Sequence, residues 1–412
     1  MSKIRIKNFG PIKQGVPNND WIDIKRITVF TGNQGSGKST VAKLISTFVW
    51  LEKALIRGDI TLPIIYEEIL DLFHFHRIES YLQPNTDIEY EGDTYRLTLS
   101  GDITGTGFEA IIINADSPRQ PKIMYVPAER NFLSSITNIS KVSNLLAGSL
   151  KNYSVEFREA QLHHKNIPID LPINNTKIIY DANEDENFLL FNGMRIKLTD
   201  ASSGFHSIVP LYWVTKYLVE FVKQHELHLL DTLSTDQTVR RNNELRNLNR
   251  LSLDETSLRI KEKKINDKYI IRYLVNIVEE PEQNLFPSSQ RQLLNSLLAC
   301  NSTNNVLIMT THSPYIVNYL TLAIQGGWLK TKIENNEHVN KIALREKLND
   351  VVPLDSCVAA ADTILYELDG DGNITKLPDY EGLPTDKNEL NEFLMQGNLL
   401  FDKLLEIEEE LG

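Results

Sequence analysis

Residues 32–40 read Gly32-Asn33-Gln34-Gly35-Ser36-Gly37-Lys38-Ser39-Thr40, and they fit the pattern G-x-x-x-x-G-K-[ST]. Ahead of them, Ile27-Thr28-Val29-Phe30 is a β-branched and aromatic run that predicts a buried strand. Behind them, residues 41–50 carry an apolar stripe at helical spacing. Glycines let successive backbone N–H groups curl round an anion where a Cβ would obstruct the approach. The following helix points its N-terminus, about half a positive charge, at the same place. A mere glycine turn between strand and helix would require neither a lysine nor a serine in register.

The stretch therefore predicts a phosphate-binding loop for a nucleoside triphosphate. Gly32 to Thr40 wrap the phosphates, Lys38 reaches the β- and γ-phosphates, and the Ser39 hydroxyl ligates Mg²⁺. At 412 residues the chain can form one elaborate domain or two. A hydrophobic content of 41% and a charged content of 24% are those of an ordinary globular protein. The net charge of −12 argues against wrapping nucleic acid over the whole surface, although a local basic patch stays open. Nothing approaches about 18 consecutive apolar residues, so no membrane span is expected. The first seven residues alternate like a strand and lack a signal-peptide block. Cys300 and Cys357 make neither a disulfide framework nor a zinc site, which fits reduced thiols in a cytoplasmic protein.

Residues 3–9 and 22–30 read as two strands, and residues 63–73 as a helix with His74 and His76 at its end rather than as metal ligands. From Asp87 to Asn114 the period changes to two, which predicts an antiparallel meander. Residues 122–126 form a strand followed by Glu129-Arg130, a pair that either faces the phosphate site or makes a surface ion pair. Residues 131–200 mix helix and short strand with no heptad pattern. Next, Ser202-Ser203-Gly204 opens an apolar helix, an N-terminus that suits an anion or a simple cap. Residues 224–268 are polar and helix-like. Between Arg240 and Arg272 lie ten basic residues against five acidic ones, by default a solvated face and otherwise a partner or nucleic-acid contact. His225 and His228 read as surface or core residues.

A second strong signal follows. The apolar strand at residues 273–278 ends in Glu279-Glu280-Pro281. Beside a phosphate loop the first acid holds Mg²⁺, directly or through water, and the second polarises the attacking water. Residues 288–299 form a helix, and residues 305–311 form a third buried strand ending at His312-Ser313-Pro314. Asp369-Gly370-Asp371-Gly372-Asn373 looks like a calcium loop, but Ile374 and Tyr380 stand at its sixth and twelfth positions, so it predicts a hairpin turn. Residues 388–411 form an acidic amphipathic helix expected to pack on the body or on a second subunit.

The order of phosphate loop, Ser-Ser-Gly turn, double-acid strand and strand-end histidine resembles ABC/SMC-like ATPases of the OLD and RecF kind, over roughly residues 1–375. The opening Ile6-Lys7-Asn8-Phe9-Gly10-Pro11-Ile12, the segment Glu279-Glu280-Pro281-Glu282 with Leu285 and Pro287, and Thr311-His312-Ser313-Pro314 carry the likeness. It implies an α/β fold, an ABC-type P-loop NTPase head with a mixed sheet, flanking helices, an antiparallel meander and an inserted helical lobe. The lobes would be residues 1–130, 131–270 and 271–378, followed by the acidic helix at 379–412. It implies ATP and Mg²⁺, with Ser39 and Glu279 on the metal, Glu280 activating water and His312 touching the γ-phosphate. Ser203 and Gly204 would reach the γ-phosphate of a second copy, giving a homodimer or higher oligomer through an ATP sandwich. Glu279 stands where many relatives have Asp, and Ser-Ser-Gly-Phe-His replaces Ser-Gly-Gly-Gln. Neither long heptad arms nor a TOPRIM metal domain is legible, so the resemblance implies a stand-alone head. Such heads occur in bacterial anti-phage defence, where they control a separate effector, a nuclease or toxin. The competing expectation is a DNA-repair clamp that uses the Arg240–Arg272 cluster.

Overall fold

A computed structural model describes residues 2–101, 107–114, 119–136, 145–146, 148–227, 233, 235–251, 254–301, 304–385 and 388–411. The chain begins with β1 (Lys3–Lys7), β2 (Ile22–Asp23) and β3 (Ile27–Gly32), then α1 (Lys38–Arg57) and α2 (Tyr66–Phe75). The meander is β4 (Asp87–Glu91), β5 (Tyr95–Ser100) and β6 (Phe108–Ile112), followed by β7 (Gln120–Val126) and a 3₁₀ turn, Ala128–Ser135. Next come α3 (Gly148–His163), the short strands β8 (Ile169–Asp170), β9 (Lys177–Asp181), β10 (Glu186–Phe191) and β11 (Met194–Lys197), and α4 (Ser203–Leu227). Two polar helices, α5 (Thr235–Asn249) and α6 (Glu255–Asp267), lead into β12 (Ile271–Glu279) and α7 (Pro287–Cys300). The chain continues through β13 (Val306–Thr311), α8 (Pro314–Asn335), α9 (Lys341–Val351), β14 (Thr363–Leu368), β15 (Ile374–Lys376) and α10 (Glu389–Leu411).

One mixed sheet organises the molecule, in the order β15-β14-β3-β13-β12-β7. All neighbours pair in parallel except β15, which returns antiparallel on β14. Its strands are apolar on both faces because both faces are covered. Val29, Val278 and Met309 enter a core with Trp213, Leu294 and Ile316. Their neighbours Phe30, Ile277 and Ile308 enter the opposite core with Val41, Leu44 and Ile45 of α1. The period of two thus sorts adjacent residues into two cores, and each full burial stabilises by roughly 1.5–3 kcal/mol.

A second sheet, β2-β1-β4-β5-β6, lies against α1. Buried Glu52 on α1 clamps it, accepting hydrogen bonds from Tyr90 Oη (2.9 Å), Thr94 N (2.7 Å) and Tyr95 N (3.1 Å). The insert between β7 and β12 holds α3 and α4 and also an antiparallel sheet, β11-β10-β9-β8.

Two expectations are corrected. The strand expected over 22–30 is two strands in two sheets. The Thr28 hydroxyl accepts from Lys25 N (3.0 Å) and donates to Lys25 O (3.2 Å), turning the chain between them. Glu129-Arg130 is not a surface ion pair: Arg130 is wholly buried, and its guanidinium reaches the backbone of the double-acid turn instead of Glu129. Within this chain the terminal helix meets the body at its start, through Glu389, while Leu400, Phe401 and Leu404 are each about 60% exposed, which leaves the second-subunit alternative open. The turn at 369–373 is the hairpin expected, with the Asp369 carboxylate accepting from Asp371 N and Asn373 N, 2.9 Å each. His225 is a core residue whose Nδ1 faces Ile271 N at 3.4 Å, whereas His228 lies outside the described residues.

Candidate nucleotide site

Parallel register brings the strand ends to one edge of the central sheet. Gly32 pairs with Leu368, Thr31 with Thr311, and Thr310 with Glu279. In open sheets of this kind ligands bind outside the carboxyl ends of the strands. The phosphate loop leaves β3 at this edge and enters α1. Gly37 caps α1 at φ 102°, a left-handed conformation, and a Cβ there would lie 2.5 Å from Ile12 Cδ1. Gly32 sits at φ 140° with its Cα against the Leu368 carbonyl, where a side chain would collide. Glycine is required at both positions by backbone shape as well as by any ligand.

Several features fit a polyanion. Lys38 is 5% exposed, and its ammonium donates only to the loop's own carbonyls, Gly32 O (2.8 Å) and Asn33 O (2.7 Å). Burial lowers its pKa to about 8, partly offset by Glu280, Glu282 and Glu389. The Ser36 hydroxyl is buried and has no hydrogen-bond partner. Ser39 is half-buried on the first turn of α1, Thr40 is buried, and Asn33, Gln34 and Gly35 form the exposed lip. The residues suit a triphosphate with Mg²⁺: a caged cation, an orphan hydroxyl and a helix N-terminus converge.

The double acid closes the other side. Glu279 is buried, with Oε1 accepting from Tyr125 Oη (2.6 Å) and Oε2 from Ala128 N (3.0 Å). Glu280 follows at φ 41°, a left-handed backbone rare outside glycine, fixed by its N–H donating to Thr310 O (2.9 Å). That kink turns the second carboxylate away from the first. His312 Nε2 then donates to Glu280 Oε1 at 3.2 Å. This hydrogen bond is the main reason the Glu280 carboxyl is held below the usual carboxylate range; Arg130 and Lys38 add to it.

Two residues without an assigned role in the sequence hold this arrangement. Arg130 sends Nη1 to Glu279 O (2.6 Å), Nη2 to Glu280 O (2.6 Å) and Nε to Ser207 O (3.2 Å). A buried guanidinium thus ties both acids to the first turns of α4. Glu282 accepts from Thr311 Oγ1 (2.8 Å) and His312 N (2.7 Å), while its Oε2 is buried without a partner. Burial raises its pKa. Its Glu-Pro-Glu spacing was the available signal; for Arg130 only its place after a strand was.

Ser203 is exposed and Gly204 half-buried at the start of α4. Among the described residues no hydrogen bond joins either to residues 32–40. A Cβ on Gly204 would lie 3.1 Å from Asn284 O, and Asn284 Nδ2 donates to Ser207 Oγ (3.0 Å), so this turn rests on the segment after the double acid. A second contact reaches the loop from the C-terminal end. Asn33 Nδ2 donates to Glu389 Oε1 (2.9 Å), and Glu389 N donates to Glu367 Oε1 (2.8 Å) on β14.

Residues 127–317 match a family described as an AAA ATPase domain. Among solved structures the chain is similar to an SMC head domain from Thermotoga maritima at 13% identity, covering 77% of this chain and 90% of that one, with a TM-score of 0.35. A Smc head domain with an extended coiled coil, bound to the C-terminal domain of ScpA derived from Pyrococcus furiosus, is 10% identical, with 100% of each chain covered and a TM-score of 0.38. A dimeric ATP-binding cassette in a post-hydrolysis state with ADP and Pi is 11% identical, covering 92% of this chain and 100% of that one, with a TM-score of 0.30. No curated protein matches. No described helix is long and apolar enough to cross a membrane. A glycine-rich loop, a double acid and a strand-end histidine thus meet at one edge of a mixed, helix-flanked α/β sheet.

Proposed function

We propose that the chain is a Mg²⁺-dependent ATPase whose two copies close around two ATP molecules and, when closed, hold a separate effector protein. The observation that carries the hydrolytic part is the Glu280–His312 pair, 3.2 Å apart at the ends of neighbouring parallel strands, with the phosphate loop on the next strand. Lys38 offsets charge on the β- and γ-phosphates. Ser39 would hold the metal directly. Both Glu279 oxygens already accept hydrogen bonds, so Glu279 would act on it through water. When bound, Mg²⁺ neutralises charge that develops on the transferring phosphoryl oxygens. Glu280 stays ionised at neutral pH and takes the proton of the attacking water; His312 orients it and faces the γ-phosphate.

The dimer is supported by the exposure of Ser203 beside Gly204, neither of which is hydrogen-bonded to residues 32–40 among the described residues. The effector is supported by α10, whose apolar residues Phe393, Leu400, Leu404 and Ile407 are exposed along a helix that begins on Asn33. The resemblance makes that effector a nuclease or toxin of an anti-phage system. The DNA-clamp reading is weaker, because the basic cluster already spends charge on acids. Arg240 pairs with Asp59 (2.6 Å), Lys268 with Glu244 (2.7 Å), Arg259 with Glu255 (2.7 Å), and Arg272 with Asp267.

The test is phosphate release under single and multiple turnover. Glu280→Gln lowers the rate by about 10²–10⁴-fold while ATP still binds. Wild-type turnover in that variant would overturn the mechanism. Co-purification of the neighbouring gene's product with the ATP-locked variant, lost on deleting residues 395–411, tests the effector part.

A further inference from the structure

The geometry points to a transition-metal site, of zinc type, built from His163, His164 and Glu220 on the insert, away from the nucleotide residues. It is the one group of three or more His, Cys, Asp or Glu ligands found clustered among the described residues, with its donor atoms all within 4.8 Å of one another. His163 ends α3, His164 follows it, and Glu220 lies on α4. His163 Nε2 lies 3.3 Å and His164 Nε2 3.0 Å from the same oxygen, Glu220 Oε2. A tetrahedral zinc with bonds of about 2.0–2.2 Å requires ligand–ligand edges of about 3.3–3.5 Å, so two edges stand close to size already. Two imidazoles and one carboxylate are a borderline donor set. It suits zinc or cobalt and offers little to Mg²⁺, which prefers oxygen ligands.

Burial gives the cluster structure. His164 is 6% exposed, whereas the side chains of His163 and Glu220 are about one-third exposed, leaving one open side for entry. His164 Nδ1 has two neighbours, Trp213 Nε1 at 3.1 Å and Ala160 O at 3.2 Å. Without metal, Trp213 donates to Nδ1 and the ring proton on Nε2 points at Glu220. A metal on Nε2 selects the other neutral tautomer: the ring's single proton is carried on Nδ1 instead of Nε2, with no net proton released by His164, and Nδ1–H donates to the Ala160 carbonyl. Donation from the non-ligating nitrogen to a backbone carbonyl is the usual support of a metal-bound imidazole. The exchange leaves the Trp213 indole N–H without its acceptor, so metal binding is coupled to a fully buried tryptophan in the core between α3 and α4. The ion would clamp these two helices, and α4 begins at Ser203.

The experiment uses the full chain after EDTA treatment, without nucleotide and in a His312→Ala background, so that the nucleotide site contributes no imidazole ligand. Co²⁺ is titrated and its visible d–d absorption followed; Zn²⁺ is then added as competitor. One equivalent of Co²⁺ binds with tetrahedral bands, Zn²⁺ displaces it, and the Trp213 indole N–H resonance shifts with the same midpoint. His163→Gln and Glu220→Gln, both at partly exposed positions, each weaken binding by at least about tenfold with the circular dichroism spectrum retained. The assignment is overturned by no stoichiometric binding, by binding unchanged in both variants, or by binding that leaves the Trp213 resonance in place. None of these readouts depends on ATP hydrolysis, so failure here leaves the nucleotide mechanism standing, and the reverse.

Discussion

The double-acid turn and the Ser-Ser-Gly turn, which the proposed mechanism sets on the same nucleotide, are built in opposite ways. At the first, the backbone is held from within: Arg130 holds the carbonyls of Glu279 and Glu280, Thr310 holds the Glu280 N–H, and Glu282 holds the His312 N–H. At the second, Ser203 is exposed, and the bonds that steady the turn lie behind it, at His206 and Ser207. In the proposed mechanism the chain thus finishes one wall of the site itself and presents the other outward. Arg130 is the link between them, because its third bond goes to Ser207 on the exposed turn's own helix. One buried guanidinium, beside the Asn284–Ser207 bond, thus joins the two turns.

The largest effect should come from breaking that link. Arg130→Met leaves the carbonyls of Glu279, Glu280 and Ser207 short of a donor, each at about 1–3 kcal/mol before relaxation. A loss of about 2–5 kcal/mol in denaturant unfolding is expected, with ATP hydrolysis lost as well. Unfolding at the wild-type midpoint would mean that the guanidinium is not the brace. A smaller effect follows from Glu282→Ala, which leaves His312 N–H and Thr311 Oγ1 without their acceptor. We expect kcat to fall about tenfold, near 1.4 kcal/mol, with the ATP affinity kept. Glu282→Gln, which retains an acceptor oxygen, should recover most of the rate.

The mildest prediction needs no substitution. Burial brings the Lys38 pKa down to about 8 in the free chain, and a bound triphosphate favours its charged form. Below pH 8 the lysine is already charged. As pH rises through 8 the free chain loses the proton that the complex retains, so ATP affinity should weaken, by up to about tenfold per pH unit. Calorimetry in buffers of different ionisation enthalpy should show proton uptake on binding at pH 9. Equal affinity at pH 7 and pH 9 would contradict a caged lysine.

Much of the first wall was legible in the sequence because its signals are local. A β-branched run, a glycine loop with Lys38 and Ser39, and apolar strands that stop at Glu279-Glu280 and His312 each announce a strand end. What joined them was not legible. Arg130 is 149 residues from Glu279, and nothing near it in sequence shows that its partners are carbonyls. The break within residues 22–30 depends on the Thr28 hydroxyl rather than on hydropathy, which is apolar on both sides. The amphipathic pattern of α10 is plain, but only tertiary packing could show that the helix contacts the loop at Glu389 and then carries an exposed apolar face. Glu280's left-handed backbone is likewise a local rule broken at a site where direction matters more than comfort.

The most direct test of two half-sites is the solution mass of Glu280→Gln with saturating Mg-ATP, measured by light scattering with and without Ser203→Arg. The account predicts twice the monomer mass for Glu280→Gln with ATP, a monomer with ADP, and a monomer with either nucleotide once Ser203→Arg is added. A monomer in ATP at concentrations where nucleotide is fully bound, or a dimer indifferent to Ser203→Arg, would contradict it.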